Sequence, residues 1–389
     1  METADQHDPN APAPNAMIEF RHVAKEYPDG TQAVRELNFD IERGKITVFV
    51  GPSGCGKTTT LRMINRMVDP TAGEVLVDGT NIATVNPPKL RRSMGYVMQA
   101  AGLMPHRTVV DNIATVPRLD GVPKAKARQR ALELMHVVGL DESLAKRYPA
   151  QLSGGQQQRV GVARALAADP PLLLMDEPFS AVDPVVRAEL QAETLRLQRE
   201  LGKTVVFVTH DIDEAVLLGD KIAVFGRGEI EQIASPEELL RAPATNYVAD
   251  FIGHDRGFRH LQFFAGSEAE IDPIDTVTVR DTVPGEGWYL VVDAQNKPLG
   301  WFSPQLNGPS QVSEDAIIPG GSLFYEGDSL RSALDSTLSS PAGLGVAVDG
   351  EGRVKGVLNG RQVLDAAGRA AGPQPPDNGP ASTAREPEA

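Results

Sequence analysis

The chain has 389 residues, more than a single ordinary core accommodates, so its length predicts two domains. With 41% hydrophobic and 23% charged residues, it has the composition of a soluble globular protein. The net charge of −14 argues against sequence-independent binding to nucleic acid, which requires a positive surface. Cys55 is its one cysteine, which excludes an intrachain disulfide and fits a reducing compartment.

The N-terminal region begins with residues 1–16, which we expect to form a disordered leader without the features of a signal peptide. Met17 to Val23 and Ala33 to Ile41 alternate apolar and polar residues, which predicts two half-buried strands. Tyr27, between them, is either an ordinary aromatic at a strand end or a flat platform for a nucleotide base. No apolar run approaches the ~20 residues that cross a bilayer, so any role at a membrane would depend on a partner.

A glycine-rich loop follows a short apolar strand, Ile46 to Val50, and precedes a predicted helix, Thr59 to Met67. Its residues are Gly51, Pro52, Ser53, Gly54, Cys55, Gly56, Lys57 and Thr58. The order of strand, loop and helix is that of a phosphate-binding P-loop, whose glycines let successive backbone amides point inward at an anion. Lys57 is suited to the β- and γ-phosphates of a nucleotide, and Thr58 to Mg²⁺.

The next segments predict a hairpin over Gly73 to Asp78, turning at Gly79, and a buried strand, Met94 to Met98, that ends at Gln99. Two helices are predicted at Thr108 to Val116 and Lys124 to Val138. The second carries an apolar stripe at helical spacing, which indicates packing against the core rather than a cofactor site.

A second anion-seeking helix start is predicted at Leu152-Ser153-Gly154-Gly155-Gln156, ahead of a helix from Gln157 to Ala168. Leu172 to Met175 is a fully apolar strand closed by Asp176 and Glu177. Carboxylates at the carboxyl end of a parallel strand beside a P-loop are suited to Mg²⁺ and water.

Two further features complete the predicted site. Asp183 is predicted to cap a helix whose first residue is Pro184. Thr204 to Val208 is a buried strand that ends at Thr209 and His210. A lone histidine is more often structural, but a position at a strand end, like those of Asp176 and Gln99, favours a place in the site.

These motifs occur in the order found in ABC-type ATPases, and residues 17–250 resemble the ATP-binding subunit of an ABC transporter. The resemblance rests on Walker A (51–58), the Q-loop (Gln99), the signature (152–156), Walker B (172–177), the D-loop (180–183) and the H-loop (His210). It implies an α/β fold, a P-loop NTPase of ABC type with a mixed sheet core and a helical signature subdomain. It also implies that two copies enclose two ATP molecules head to tail, each signature facing the γ-phosphate held by the other copy.

The resemblance implies ATP and Mg²⁺ as cofactors. The implied nucleotide-binding residues are Tyr27, which would stack on adenine, Gly51, Pro52, Ser53, Gly54, Cys55, Gly56, Lys57, Thr58, Thr59, Ser153, Gly154, Gly155, Gln156 and Asp183. The implied metal-site residues are Thr58, Gln99 and Asp176. The implied catalytic residues are Glu177 as the base for the attacking water, His210 as a stabiliser of transition-state charge, Gln99 as the sensor of the γ-phosphate, and Lys57.

The C-terminal third begins with a bridge, 251–257, and continues as a second domain, 258–368, before a tail, 369–389, expected to be disordered. Residues 290–302 resemble 346–358, which indicates an internal repeat. The repeat is similar to a tandem CBS (cystathionine-β-synthase-type) pair of α+β class whose first copy is shortened and whose second keeps a helix, Ser329 to Leu338. A small dimerisation or spacer domain is the alternative.

An ABC subunit followed by this bridge and a CBS-like tail resembles the ATPases of bacterial quaternary-amine importers, which take up glycine betaine, choline or carnitine. The leading hypothesis is therefore a transport ATPase at the cytoplasmic face of the membrane, with transmembrane permease subunits and, indirectly, an extracytoplasmic solute-binding protein as partners. An importer ATPase for another small solute, such as an amino acid, remains an alternative, because the subunits that select the solute are separate. An ABC ATPase acting on nucleic acid is disfavoured by the charge and by the lack of a coiled-coil insertion or second cassette.

Overall fold

The computed structural model describes residues 15–99, 101–180, 182–307 and 310–370. Nearly all of the expected leader and tail, and Ala181 of the D-loop, lie outside these ranges. The chain divides into two compact units between Gly253 and His254. None of the described helices combines the length and apolar character that a membrane span needs.

The first unit contains a mixed sheet and an antiparallel sheet. Its strands are β1 (Ala16–Glu26), β2 (Gln32–Glu42), β3 (Ile46–Val50), β4 (Ala72–Val77), β5 (Thr80–Asn81), β6 (Met94–Val97), β7 (Leu172–Asp176), β8 (Thr204–Val208), β9 (Lys221–Gly226) and β10 (Glu229–Ala234). The mixed sheet has the order β10-β9-β3-β8-β7-β6, all neighbours being parallel except β10 and β9. The antiparallel sheet has the order β2-β1-β4-β5, in which β4 and β5 form the predicted hairpin.

The helices of the first unit follow the strands closely in sequence. They are α1 (Lys57–Ile64), α2 (Pro87–Arg92), α3 (Val109–Ile113), α4 (Thr115–Leu119), α5 (Lys124–Val137), α6 (Gly154–Leu166), α7 (Pro184–Leu201), α8 (Ile212–Leu218), α9 (Pro236–Arg241) and α10 (Asn246–Ile252). The P-loop NTPase fold predicted from the motifs is confirmed, with β3, the loop and α1 in the expected order.

Two predicted helices differ from the structure. The helix predicted over Thr108 to Val116 is two helices that meet at Ala114, because Pro117 has no N–H to continue the hydrogen-bond ladder. The helix predicted from Gln157 begins three residues earlier, at Gly154, since Ser153 and Gln156 form a capping box. The serine and glutamine at that spacing are a sequence signal of the earlier start.

The core of the first unit lies on both faces of the mixed sheet. Along β3, Val48 and Val50 face one apolar cluster, which includes residues of α5 and α6, while Phe49 faces another that includes β1 and β9. The ring of Phe49 lies 5.1 Å from that of Phe225, centroid to centroid. All of these side chains are fully buried, and each such burial is worth about 1.5–3 kcal/mol.

The described residues of the second unit form two small sheets of identical topology, together with several helices. Its elements are α11 (Arg256–His260), β11 (Thr276–Val277), β12 (Tyr289–Val292), β13 (Pro298–Phe302), α12 (Pro304–Asn307), β14 (Leu323–Tyr325), α13 (Leu330–Ser339), β15 (Leu344–Val348), β16 (Val354–Asn359) and α14 (Gly360–Ala370). In each sheet the first pair of strands is parallel and the second antiparallel. A helix, α13, separates the first two strands of the second sheet, whereas the described residues 278–288 of the first contain none.

The two halves exchange their lead-in segments. Asp272, ahead of β11, pairs with Val357 of β16, and Ile318, ahead of β14, pairs with Trp301 of β13. Gly356 allows the first of these approaches, because a Cβ there would overlap the carbonyl oxygen of Asp272. Gly300 makes the same allowance for Ile318. Each half therefore completes the sheet of the other.

This exchange predicts that Gly356→Ala lowers the melting temperature of the second unit, because the added methyl group must push the Asp272 segment away from β16. Gly352→Ala is the matched control, since Gly352 has a φ of +79° but open space around its missing Cβ. We expect Gly352→Ala to cost only about 1 kcal/mol, for the left-handed backbone. Differential scanning calorimetry of the full chain measures both, and equal shifts would contradict the close approach.

Candidate functional site

The P-loop joins β3 to α1, so its backbone amides gather at a helix N-terminus. The side chain of Lys57 is buried, and its Nζ donates hydrogen bonds to the carbonyl oxygens of Gly51 (2.7 Å) and Pro52 (2.8 Å). Gly56 has a φ of +104°, and a Cβ there would lie 2.5 Å from the carbonyl oxygen of Ala33. The loop is thus held in a tight curve with the lysine ammonium group across it.

Cys55 is a second buried side chain of this loop. Its Sγ lies 3.7 Å from Lys57 Nζ. Burial raises the pKa of the thiol above its usual value, although the nearby positive charge of Lys57 acts in the opposite direction. The thiol therefore stays protonated at neutral pH and serves as a small apolar group under the loop.

Asp176 ends β7 beside the first turn of α1 and is 6% exposed. Its Oδ1 accepts a hydrogen bond of 3.0 Å from Thr58 Oγ1. Its Oδ2 accepts one of 3.2 Å from the hydroxyl group of Tyr96, and a guanidinium nitrogen of Arg62 lies 3.5 Å from the same oxygen. Burial, followed by the charge of Asp176, raises the pKa of Tyr96 to about 12, so the phenol remains a hydrogen-bond donor. The hydroxyl and carboxylate oxygens of Thr58 and Asp176 are the hard donors that Mg²⁺ prefers, and the pair fits such an ion.

Tyr96 and Arg62 were not predicted from the sequence to lie at this site. Arg62 follows Thr58 by four residues on α1, a spacing that places both side chains on one helix face and could have identified it. Tyr96 lies in β6, which neighbours β7, but only the register of the two strands sets it against Asp176.

Glu177 follows Asp176 in a left-handed backbone conformation, with a φ of +44°, which is uncommon for any residue but glycine. Its N–H donates to the carbonyl oxygen of Val208 at the end of β8, with an N···O distance of 3.0 Å. The residue is thereby turned away from the strand and towards the end of the neighbouring one. Backbone strain of this kind costs about 1–3 kcal/mol and is concentrated at functional sites.

Gln99 and His210 meet Glu177 at the same carboxylate oxygen. His210 Nδ1 lies 3.2 Å from Glu177 Oε2, and Gln99 Nε2 donates to that oxygen over 3.5 Å. Among the described residues Gln99 makes no hydrogen bond to Thr58 or Asp176. The structure thus brings three of the predicted catalytic side chains together at the carboxyl edge of the sheet, and their roles stay predictions.

The signature residues lie at the start of α6. Ser153 Oγ accepts from the N–H of Gln156, and Gln156 Oε1 accepts from the N–H of Ser153. Gly155 packs against Val186 of α7, where a Cβ would come within 2.5 Å of the valine side chain. Asp183 caps α7 by accepting from the Val186 N–H at 3.0 Å. The N-termini of α6 and α7 are therefore adjacent.

Two predicted nucleotide-binding sets stand apart from the rest. No hydrogen bond in the described part of the chain joins residues 153–156 to the P-loop of the same chain. Tyr27 is half-buried after β1, with Lys25 Nζ 5.3 Å from the centre of its ring. Stacking of Tyr27 on a base and action of the signature across a dimer both stay predictions.

Comparison with known proteins identifies relatives along most of the chain. Residues 34–180 match the model of the ABC transporter family. The carnitine transport ATP-binding protein OpuCA of Listeria monocytogenes is 53% identical over 363 residues, covering 90% of this chain and 91% of that protein. The osmoprotectant import ATP-binding protein OsmV of Salmonella typhimurium is 42% identical over 366 residues, covering 90% and 96%.

A solved structure is similar to the first part of the chain. It is the dimeric ATP-binding cassette MJ0796 in a post-hydrolysis state bound to ADP and Pi, with a TM-score of 0.52 and 36% identity. It covers 57% of this chain and 99% of its own.

The environment of Cys55 predicts slow alkylation of the folded protein. Only the thiolate reacts, and burial both raises the thiol pKa and hides the sulfur, so iodoacetamide at pH 8 should react at least ~10-fold more slowly than with urea-unfolded protein. Mass spectrometry gives both rates without ambiguity, because the chain has one cysteine. Equal rates in the two states would show that the sulfur is accessible.

Proposed function

The chain belongs to the ATP-binding subunits of ABC-type osmoprotectant importers, and on that premise we propose that it hydrolyses ATP to drive uptake of a quaternary amine such as carnitine, choline or glycine betaine. The observation that carries this function is the extent of the likeness to OpuCA, 53% identity over 90% of the chain, which includes much of the second unit. The ATPase cassette alone is common to transporters of many solutes. A likeness that continues beyond it favours the osmoprotectant importers over an importer for an amino acid.

ATP is the proposed substrate, and the P-loop is its proposed phosphate site. The inward-facing amides and the ammonium group of Lys57 suit the β- and γ-phosphates. Thr58 and Asp176 would hold Mg²⁺, which when bound neutralises charge on the phosphate oxygens. Tyr96 and Arg62 would keep the buried carboxylate of Asp176 oriented towards Thr58.

Glu177 is the proposed base for hydrolysis. A water molecule attacks the γ-phosphorus, its proton moves towards the Glu177 carboxylate, and the bond to the β,γ-bridging oxygen breaks to give ADP and phosphate. Gln99 and His210 lie on the same oxygen of Glu177 and would fix its orientation. His210 can also stabilise the negative charge that develops on the γ-phosphoryl group.

Two copies of the chain are proposed to act together, and MJ0796, a related cassette, is dimeric. In such a pair the signature of one copy, with its N-terminal amides at Gly154 and Gly155, would face the γ-phosphate on the other. Transmembrane permease subunits would hold the pair at the cytoplasmic face of the membrane. A solute-binding protein on the other side would select the solute.

The second unit is proposed to be regulatory. The first unit already contains every residue assigned to hydrolysis, so the second has no catalytic part to supply. A module of this kind can alter activity only by binding one state of the transporter better than another. A dimerisation or spacer role is the alternative, because the described residues 278–288 of the first half form no helix to match α13 of the second.

The proposed function predicts that ATP hydrolysis by the subunit, reconstituted with its permease and solute-binding protein, rises when a quaternary amine is supplied and does not rise with an amino acid.

Glu177→Gln should lower kcat at least ~100-fold and leave ATP binding intact, because the amide keeps the shape but cannot accept the proton. Phosphate release and an ATP-binding titration measure the two quantities.

Lys57→Ala is the contrasting variant, since loss of its charge from the phosphate cradle should weaken ATP binding itself. Stimulation by an amino acid instead of a quaternary amine would reject the proposed solute class. Unchanged turnover of Glu177→Gln would reject the role of that residue.

A regulatory second unit predicts that deletion of residues 254–389 changes how transport depends on ionic strength while basal ATP hydrolysis survives. Deletion of residues 371–389 alone is the control, because it leaves both small sheets intact. Transport into proteoliposomes across a salt series measures the effect. Superimposable curves for the full chain and both deletions would favour the spacer role.

A further inference from the structure

Glu214, in α8, carries a buried carboxylate that none of the roles above uses. The residue is 7% exposed, and burial raises the pKa of its carboxyl group above the usual value. Its Oε2 accepts a hydrogen bond of 2.6 Å from Thr209 Oγ1. Its Oε1 accepts one of 3.2 Å from Gln191 Nε2, on α7. Burial of a carboxylate group costs free energy unless it has hydrogen-bonding partners. The groups that bond to Glu214 therefore indicate its role.

One carboxylate oxygen of Glu214, Oε2, is hydrogen-bonded to the turn that contains His210. The Thr209 hydroxyl group donates to Glu214 and also accepts from the N–H of Asp211 at 3.0 Å, so it spans His210. The N–H of Thr209 donates to the carbonyl oxygen of Phe49, which ties the same turn to β3. The orientation of the His210 side chain thus depends on the hydroxyl group of Thr209, which is hydrogen-bonded to Glu214.

The other oxygen of Glu214 faces the first turns of α7. Arg187 lies one turn after the capping residue Asp183, and its guanidinium group donates to the carbonyl oxygen of Val182 over 3.4 Å. Its Nε is buried without a hydrogen-bond partner in the described part of the chain, and it lies 4.0 Å from Glu214 Oε1. Gln191, one turn further along α7, donates to that same oxygen. The loop of Val182 and Asp183 is therefore connected to Glu214 through α7.

We propose that Glu214 is a positioning residue that sets the loop of His210 and the loop of Val182 and Asp183 in fixed register with each other. The carboxylate group of Glu214 is planar and rigid. Because one of its oxygens contacts the His210 loop and the other contacts α7, a displacement of either loop shifts the contacts of the other. The P-loop carries the proposed cradle for the β- and γ-phosphates, whereas His210 is proposed to act on charge that develops during hydrolysis, so we expect the register to affect turnover more than ATP binding. This inference rests on the proposed ATPase function.

The Thr209 connection is tested by Thr209→Val in the full chain, with Thr209→Ser as the variant that restores the hydroxyl group. We expect Thr209→Val to lower kcat about 10-fold with KM for ATP changed less than ~2-fold, and Thr209→Ser to recover the wild-type values. Thr194→Val is the matched control, because the buried hydroxyl group of Thr194 donates to Leu190 of its own helix and to no other residue that the structure describes. It should leave both constants unchanged.

The Arg187 connection is tested by Glu214→Gln, whose amide oxygen still accepts from Thr209 while its charge is lost. Glu214→Gln should lower kcat, and Arg187→Met combined with Glu214→Gln should be no slower than Glu214→Gln alone, because the amide nitrogen at the position of Oε1 already disrupts both the hydrogen bond from Gln191 and the ion pair with Arg187. Additive losses would overturn the link to α7.

Thermal melting of every variant separates positioning from folding. Lower melting temperatures with unchanged kcat, or parallel losses in kcat and ATP affinity, would overturn the positioning role. If the wild-type chain itself hydrolyses no ATP, the proposed function fails. If the wild type is active and the variants match it, the positioning role of Glu214 fails and the proposed function stands.

Discussion

The buried carboxylate of Asp176 is the constraint around which the first unit is arranged. A charge at this depth requires compensation, and its partners come from two other elements, α1 and β6. β7 lies beside β6, and the first turns of α1 reach the carboxyl end of β7, so both elements bring their side chains to this carboxylate. The P-loop follows, because the helix that compensates Asp176 is the helix whose N-terminus the loop forms. One electrostatic requirement thus sets the loop and the strand edge against each other.

The sequence predicted this arrangement well where the conformation of a residue depends on its neighbours in the chain. The apolar runs of β3 and β8 have the predicted bounds, since five buried residues between turns leave little choice. Asp183 caps its helix as expected, because the cap depends only on the next three residues. Tyr96 and Arg62 were missed because their partner is distant in sequence. The break between α3 and α4 was missed although Pro117 signals it.

The predicted catalytic residues illustrate the same division. Their positions at strand ends could be predicted, since parallel strands bring their carboxyl ends to one edge. The left-handed turn at Glu177 could not, because a tertiary hydrogen bond to Val208 accompanies it. Nor did the sequence reveal the buried network of Glu214, whose partners come from α7 and from the turn after β8. The chemistry of the site is readable from local motifs, whereas the way it is held in place depends on contacts across the fold.

The exchange of lead-in segments in the second unit has a consequence for its folding. Residues 272 and 357 pair across 85 positions of sequence. β16 therefore completes its hydrogen bonds only when the Asp272 segment of the first half has packed beside it. Non-local pairing of this kind slows folding and makes the two halves one cooperative foldon. A fragment that carried only one copy would expose an unpaired strand edge and be prone to aggregation.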